Sequence, residues 1–80
     1  MVLDMTDISD MAVSTTGEAI RGRRKLLGLT QLDVANLCDV SRDTVVRVEA
    51  DDGGIAIGTL RRIAAAVGLE IAVQPRYRDS

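Results

Sequence analysis

The stretch TQLDVANLCDVSRDTVVRVEA, residues 30–50, constrains the fold of this chain more than any other. Thr30 is a good helix N-cap, and Asp33 stands three residues later in the acidic position of a capping box. Ser41 has the same capping character for a second helix. Between them, Asp39 tolerates the left-handed backbone conformation that a tight turn requires. The stretch therefore predicts two short helices separated by a turn of three to four residues.

Apolar side chains in these two segments recur at helical spacing. Val34, Ala35 and Cys38 form one inward stripe, and Val45 and Val48 form another. Aromatic residues make up only 1% of the chain, so the core that these stripes enter is aliphatic. The pattern predicts two amphipathic helices that pack together through small side chains.

Two further helices are predicted on either side of this pair. The first begins with Thr15 or Thr16 as its N-cap and ends near residue 27, and the last spans residues 57–67. A glycine follows each of them, which favours a left-handed C-terminal cap. The predicted fold is mainly α, a bundle of about four helices within residues 14–68, preceded by an acidic arm at residues 1–13.

Several classes of protein are disfavoured by the residue types that the chain lacks. It has no histidine and one cysteine, Cys38, which argues against a zinc site, a disulfide and histidine-based catalysis. Because no nucleophile–base pair is apparent, we expect neither an enzyme nor a cofactor. The near absence of aromatic residues also argues against stacking on single-stranded nucleic acid, whereas duplex recognition stays compatible with the composition.

Charge is distributed unevenly along the chain. The net charge is −2, yet residues 14–50 carry six basic and five acidic residues, and RGRRK at residues 21–25 concentrates the positive charge. The start of the chain lacks the form of a signal peptide, and no apolar run reaches the roughly 18 residues of a membrane helix. We expect a cytoplasmic protein with a local basic surface.

Two short helices joined by a tight turn form a helix-turn-helix, whose second helix can enter the major groove of DNA. Within residues 17–68, RRKLLGLTQLDVANLCDVSRDTVVRVEA and TLRRIAAAVG resemble the Xre family, the lambda repressor and Cro type. The resemblance implies that Arg42, Asp43 and Arg47 meet base edges. It also implies that phosphates or thymine methyl groups are contacted by Gln31, Ser41 and Thr44.

The chemistry of the second helix of this motif agrees with DNA recognition. Arginine donates bidentately to O6 and N7 of guanine. Arg42 lies at the N-terminal end of the predicted helix, and Arg47 lies on one of its faces. Both could instead be solvated surface, Asp43 could only stabilise the helix N-terminus, and Ser41 could only cap. The amides of Gly53 and Gly54 could also hold a phosphate, and the side chains of Arg21, Arg23 and Lys25 are free either for the DNA backbone or for solvent.

One pair of charged residues is predicted to be structural. In the family, an arginine of the first helix commonly pairs with an acid at the end of the recognition helix, and Arg24 and Glu49 occupy the matching positions. Losing one partner would leave an uncompensated, partly buried charge. We therefore expect this pair to stabilise the fold.

After the last helix, the sequence changes to the alternation of a β-strand. Leu69, Ile71 and Val73 alternate with Glu70, Ala72 and Gln74, and Pro75 closes the segment, which leaves residues 76–80 as a tail. A lone strand leaves backbone groups unpaired. The same strand of a second copy would satisfy them and give a symmetric homodimer, and the alternative partner is the VLDM segment near the N-terminus.

A helix-turn-helix followed directly by GLEIAVQP resembles HipB-type antitoxins, whose strands join across the dimer. This resemblance implies a palindromic operator in double-stranded DNA and a HipA-like kinase toxin as partner. A stand-alone regulator without a toxin and a protein-interaction module that has lost DNA binding remain alternatives.

Overall fold

The computed structural model describes residues 15–72 of the chain. In this part, four helices follow one another: α1 Thr16–Leu26, α2 Gln31–Cys38, α3 Arg42–Glu49 and α4 Ile57–Ala66. The mainly helical architecture predicted from the sequence is confirmed. Between residues 15 and 72, none of the helices combines the length and the apolar composition that a membrane span needs.

Polar caps begin three of the four helices. Thr15 forms a reciprocal capping box with Glu18, in which the Glu18 amide donates to Thr15 Oγ1 at 3.0 Å and the Thr15 amide donates to Glu18 Oε1 at 3.0 Å. Thr30 and Asp33 form the same arrangement at α2, and Ser41 caps α3. These contacts satisfy amide donors that the helices leave unpaired, so the caps fix where each helix begins.

The turn between α2 and α3 is tight because Asp39 adopts the left-handed conformation, with φ of 59°. The Val40 amide then donates to the Ala35 carbonyl at 3.0 Å. Asp tolerates this conformation at modest cost, so no glycine is needed here. The turn sets the relative orientation of α2 and α3, as the sequence predicted.

Aliphatic side chains form the core, in which α3 packs against α1 and α2 while α4 packs against α2. The buried apolar residues are Ile20, Val34, Ala35, Cys38, Val45, Val48, Ile63, Ala64 and Val67. Burying Val45 and Val48 fixes the rotation of α3 about its axis, since both lie on one side of the helix. The opposite side of α3 is therefore left on the surface.

Gly17, at the start of α1, allows a close approach to the backbone at the end of α3. A Cβ atom at this position would lie 2.6 Å from the carbonyl oxygens of both Val48 and Glu49. The Gly17 amide also donates to Asp51 Oδ1 at 2.8 Å. Since only a hydrogen fits here, Gly17 allows α1 to meet the C-terminal end of α3, and the sequence analysis did not foresee this contact.

The predicted strand of residues 69–75 lies at the limit of the described chain. Residues 69–72 have no regular secondary structure in the single chain, although Leu69 and Ile71 pack against the core while Glu70 and Ala72 are exposed. A strand requires a hydrogen-bonded neighbour, and no other strand lies between residues 15 and 72. The remaining residues of the predicted strand, the acidic arm and the tail fall outside the described residues, so strand pairing stays a prediction.

Candidate nucleic-acid interface

The outward side of α3 carries the side chains predicted to meet bases. Arg42, Asp43 and Arg47 are exposed, whereas the inward residues of the same helix are buried. This division follows from the 3.6-residue helical repeat, because it turns the valine stripe toward the core. The structure thus places two arginines and one acid together on a free helical surface.

The N-terminal end of α3 is organised by two hydroxyl groups. The Thr44 amide donates to Ser41 Oγ at 3.1 Å, and the hydroxyls of Ser41 and Thr44 are 2.9 Å apart. Ser41 is exposed and Thr44 is half-buried. The capping role of Ser41 is confirmed, and its predicted contact with a phosphate stays a prediction.

Arg47 forms an ion pair on the surface. Its Nε atom donates to Asp52 Oδ2 at 2.9 Å, and the Gly54 amide donates to Asp52 Oδ1 at 2.8 Å. The hydrogen bond from Arg47, followed by that from the Gly54 amide, lowers the pKa of the Asp52 carboxyl. The Gly54 amide was predicted to be available for a phosphate, and this was wrong, because the amide already has a carboxylate acceptor.

Gln31, predicted as a DNA contact, has a second role inside the protein. Its Nε2 atom donates to Glu49 Oε1 at 3.2 Å, and the side chain is half-buried at the first position of α2. An amide nitrogen carries two donors, so one N–H is left for another acceptor. Gln31 therefore connects the start of α2 to the end of α3, and its contact with DNA stays a prediction.

The structure brings Arg24 and Glu49 together in a buried ion pair. Arg24 Nε lies 2.6 Å from Glu49 Oε2 and Nη2 lies 3.0 Å from Oε1, while the side chains are 9% and 4% exposed. Arg24 Nη1 also donates to the Leu29 carbonyl at 3.0 Å. The pair thus joins α1, the turn before α2 and the end of α3.

The two members of this pair keep each other charged. The hydrogen bond to Glu49 raises the pKa of Arg24 despite its burial. Burial by itself would raise the pKa of Glu49, but the hydrogen bonds from Arg24 and Gln31 outweigh it and the pKa is lowered. The bidentate geometry is the kind that compensates most for the loss of water around two charges.

The basic cluster of residues 21–25 is divided between the interior and the surface. Arg23, predicted to be free for DNA or solvent, has a contact inside the protein, because its Nε atom donates to the Val67 carbonyl at 3.0 Å and caps the end of α4. Arg21 and Lys25 are exposed. Contacts of these cations with phosphates stay predictions.

A second arginine caps a helix in a way that the sequence analysis missed. Arg62 Nη1 donates to the Cys38 carbonyl at 3.1 Å, at the last residue of α2. The two residues are 24 positions apart, so no local pattern indicated the contact. Arg62 thereby ties α4 to the beginning of the turn that orients α3.

Metal-binding and thiol chemistry have little basis in this region. No group of three His, Cys, Asp or Glu side chains between residues 15 and 72 is placed to hold a metal ion. Cys38 is buried in the core, and desolvation raises the pKa of its thiol. The exposed side chains of α3 offer hydrogen-bond donors and charge, the chemistry of nucleic-acid recognition.

Comparisons with known proteins agree with this geometry. A family model described as helix-turn-helix matches residues 20–74, which is more than half of the chain and includes all four helices except the start of α1. No curated protein gives a significant match to the sequence.

Proposed function

Because the chain belongs to the helix-turn-helix DNA-binding proteins of the Xre and lambda-repressor type, we propose that it is a transcriptional regulator that reads duplex DNA with α3. The observation that carries this proposal is the exposure of Arg42, at the N-terminal end of α3, and of Arg47, on the side away from the buried valines. Each guanidinium can donate two hydrogen bonds to a guanine, which gives about 1–3 kcal/mol of discrimination per good pair.

Phosphate contacts in this proposal come from the residues beside the reading helix. Ser41 and Thr44 lie at the N-terminal end of α3, and Gln31 retains one N–H donor at the start of α2. Contacts of this kind fix the register of a protein on the duplex without reading sequence. Asp43 either accepts from a cytosine amino group or stabilises the first turn of α3.

We propose further that the protein binds as a homodimer through residues 69–74. In support, Leu69 and Ile71 pack against the core of the single chain. The segment also lies beside open grooves lined by Thr16, Ala19, Ala64 and Ala65. A second copy of the segment would supply the missing backbone partners. A twofold dimer of this kind reads a palindromic operator with half-site centres about 10 bp apart.

An antitoxin role is the narrower form of the proposal. It rests on the resemblance of the helix-turn-helix followed by this alternating segment to HipB-type antitoxins, and it requires a HipA-like kinase as partner. The stand-alone regulator and the protein-interaction module without DNA affinity are the competing functions. These two functions and the antitoxin role differ in the molecules that remain bound to the protein in its native cell.

Selection from a pool of randomised DNA duplexes, followed by sequencing, tests DNA recognition. We expect enrichment of one inverted repeat, whereas no enriched sequence would leave only the interaction module. Light scattering then gives the mass of the free protein, with twice 8.6 kDa expected for the dimer. A mass of 8.6 kDa would refute pairing through residues 69–74.

The antitoxin form needs a separate experiment. The complex is purified from its native cell, and mass spectrometry identifies every chain that co-elutes in stoichiometric amount. A kinase-like chain is the expected result. Recovery of the dimer with DNA but no second protein would favour the stand-alone regulator.

A further inference from the structure

The loop after α3 returns the chain to the surface that carries Arg47. Asp51 adopts the left-handed conformation with φ of 61°, and its carboxylate accepts from the Gly17 amide at 2.8 Å. The Asp52 amide then donates to the Arg47 carbonyl at 3.0 Å. A non-glycine residue in this conformation is uncommon, so the turn is held by its contacts rather than by backbone preference. Its effect is to place Asp52 beside the side chain of Arg47.

Three groups are then connected in series. The Gly54 amide donates to one oxygen of Asp52, and the other oxygen accepts from Arg47 Nε. Arg47 Nη2 lies 3.4 Å from the position that a Cβ atom of residue 54 would occupy. The carboxylate is thus fixed at both oxygens, and the guanidinium is held against the loop.

This arrangement occupies only one edge of the guanidinium. Nε is used by Asp52, whereas Nη1 and Nη2 make no hydrogen bond to any residue between 15 and 72. These two nitrogens are the end of the fork that can donate to O6 and N7 of a guanine. The side chains of Arg47 and Asp52 are 45% and 38% exposed, and ion pairs at such exposure add little to folding stability. The bond from the Gly54 amide is an ordinary Asx turn within the loop, whereas the second oxygen is directed at the guanidinium of Arg47.

We propose that Asp52 is a positioning residue, which holds Arg47 in the conformation that reads a guanine and so sets specificity at one base pair. The inference rests on the proposed reading of DNA by α3. A long side chain that is already ordered loses less conformational entropy on binding. An acid beside DNA also repels phosphates, so Asp52 lowers affinity for all sequences while it raises discrimination between them.

A competing explanation is that Asp52 merely competes with DNA for Arg47. Loss of the acid would then raise affinity for every sequence and leave discrimination unchanged. Binding to a single duplex does not separate these explanations, because both expect tighter binding once the acid is lost. The ratio of affinities for two duplexes does, and a glycine substitution beside the carboxylate adds a test that alters no charge.

The chain offers a matched pair of such substitutions. In Gly54→Ala, the added Cβ atom would lie 3.2 Å from Asp52 Oδ1, so the carboxylate that holds Arg47 must shift by a few tenths of an ångström, while the 3.4 Å approach to Arg47 Nη2 is close to ordinary contact. In Gly53→Ala, the Cβ atom meets nothing within 4 Å. Asp52→Asn is a third variant, which retains the size of the side chain but has one carbonyl oxygen for two donors.

The probe is a duplex carrying the sequence that the wild-type protein selects from a randomised pool. Arg47→Ala identifies the base pair that Arg47 reads, as the position at which selection relaxes. The measured quantity is the ratio of Kd values for this duplex and for one in which that G·C pair is replaced by A·T. One good bidentate contact gives a ratio of roughly 5- to 150-fold.

We expect Gly54→Ala and Asp52→Asn to reduce this ratio by at least about threefold, toward that of Arg47→Ala, while Gly53→Ala keeps the wild-type ratio. Asp52→Asn should also bind the mismatched duplex more tightly than wild type does. Circular dichroism verifies that each variant is folded. If Gly54→Ala is unfolded, the ratio of Kd values measured for Asp52→Asn tests the inference instead.

Other results would overturn the inference in distinguishable ways. An unchanged ratio in both Gly54→Ala and Asp52→Asn, with relaxation in Arg47→Ala, refutes positioning by Asp52 and leaves the proposed function intact. If Arg47→Ala selects the same sequence as wild type at every position, Arg47 does not read a base. Asp52 then has no reading residue to position. Failure of the wild-type protein to select any sequence refutes the proposed function itself.

Discussion

Substitution of Glu49 by alanine should be among the most destabilising single changes in the described fold. The change leaves the Arg24 guanidinium in a site where its side chain is only 9% exposed. Arg24 loses both hydrogen bonds to the carboxylate and retains one acceptor, the Leu29 carbonyl. Removing one partner of a buried pair in this way costs about 3–5 kcal/mol, since the remaining charge is neither hydrated nor paired.

This loss is large against the stability of so small a protein. At about 0.05–0.15 kcal/mol per residue, 80 residues give a free energy of unfolding of about 4–12 kcal/mol. Urea unfolding followed by far-ultraviolet circular dichroism measures the loss. With an m value of about 1 kcal/mol/M, the midpoint should fall by about 3 M or more, or Glu49→Ala should be unfolded without urea.

Two controls separate burial from charge in this experiment. Asp52→Ala also breaks an arginine–carboxylate pair, but an exposed one, and should scarcely move the midpoint. The double variant Arg24→Met with Glu49→Leu removes both charges and should recover most of the stability. A midpoint for Glu49→Ala close to that of Asp52→Ala would show that burial adds nothing to the cost of breaking the Arg24–Glu49 pair.

Three further results are expected. Gly17→Ala should lower the free energy of unfolding by about 1–3 kcal/mol or more, because its Cβ atom would lie 2.6 Å from two backbone oxygens. Gly22→Ala, in the same helix, meets nothing within 4 Å and should raise the free energy of unfolding by about 0.5–1 kcal/mol. Equal urea midpoints for the two variants would contradict this expectation. The pKa of Glu49 is lowered in the folded state, so its stabilisation is present above the ordinary value of 4.5 and is lost as the pH falls through the lower folded value. Urea midpoints should therefore decrease below pH 4.5, less steeply in the Arg24→Met, Glu49→Leu double variant, and a flat profile would exclude the linkage. For operator DNA, the logarithm of the affinity should fall linearly with the logarithm of the salt concentration, by about 0.9 per phosphate contacted, and an affinity insensitive to salt would argue against phosphate contacts.

Local signals in the sequence were sufficient for the helices and their caps. The capping box of Thr30 and Asp33 and the left-handed turn at Asp39 each join residues at most four positions apart. Residue type and spacing alone therefore specify them. The valine stripe of α3 likewise determines which side of that helix is buried. For this reason the exposed side of α3 could be predicted from the sequence.

Contacts between distant segments could not be predicted in the same way. Arg23 reaches a carbonyl 44 residues away and Arg62 one 24 residues away, and nothing near either arginine in the sequence indicates it. Asp52 follows the motif and looks like part of a glycine-rich loop, yet the turn at Asp51 returns it to Arg47. Residue type alone therefore does not tell which arginines form contacts inside the protein, nor that the loop residue Asp52 contacts Arg47.

The most direct test of the account is the specificity of the Arg42→Ala, Arg47→Ala double variant. Its Kd values for the selected duplex and for a scrambled duplex are compared with those of wild type and of Lys25→Ala, Arg61→Ala, which removes the same charge from exposed residues outside α3. Loss of both arginines should remove about 2–6 kcal/mol of discrimination, whereas the control should weaken both duplexes alike and keep the ratio. A wild-type ratio in the Arg42→Ala, Arg47→Ala variant would contradict the assignment of α3 as the surface that reads DNA.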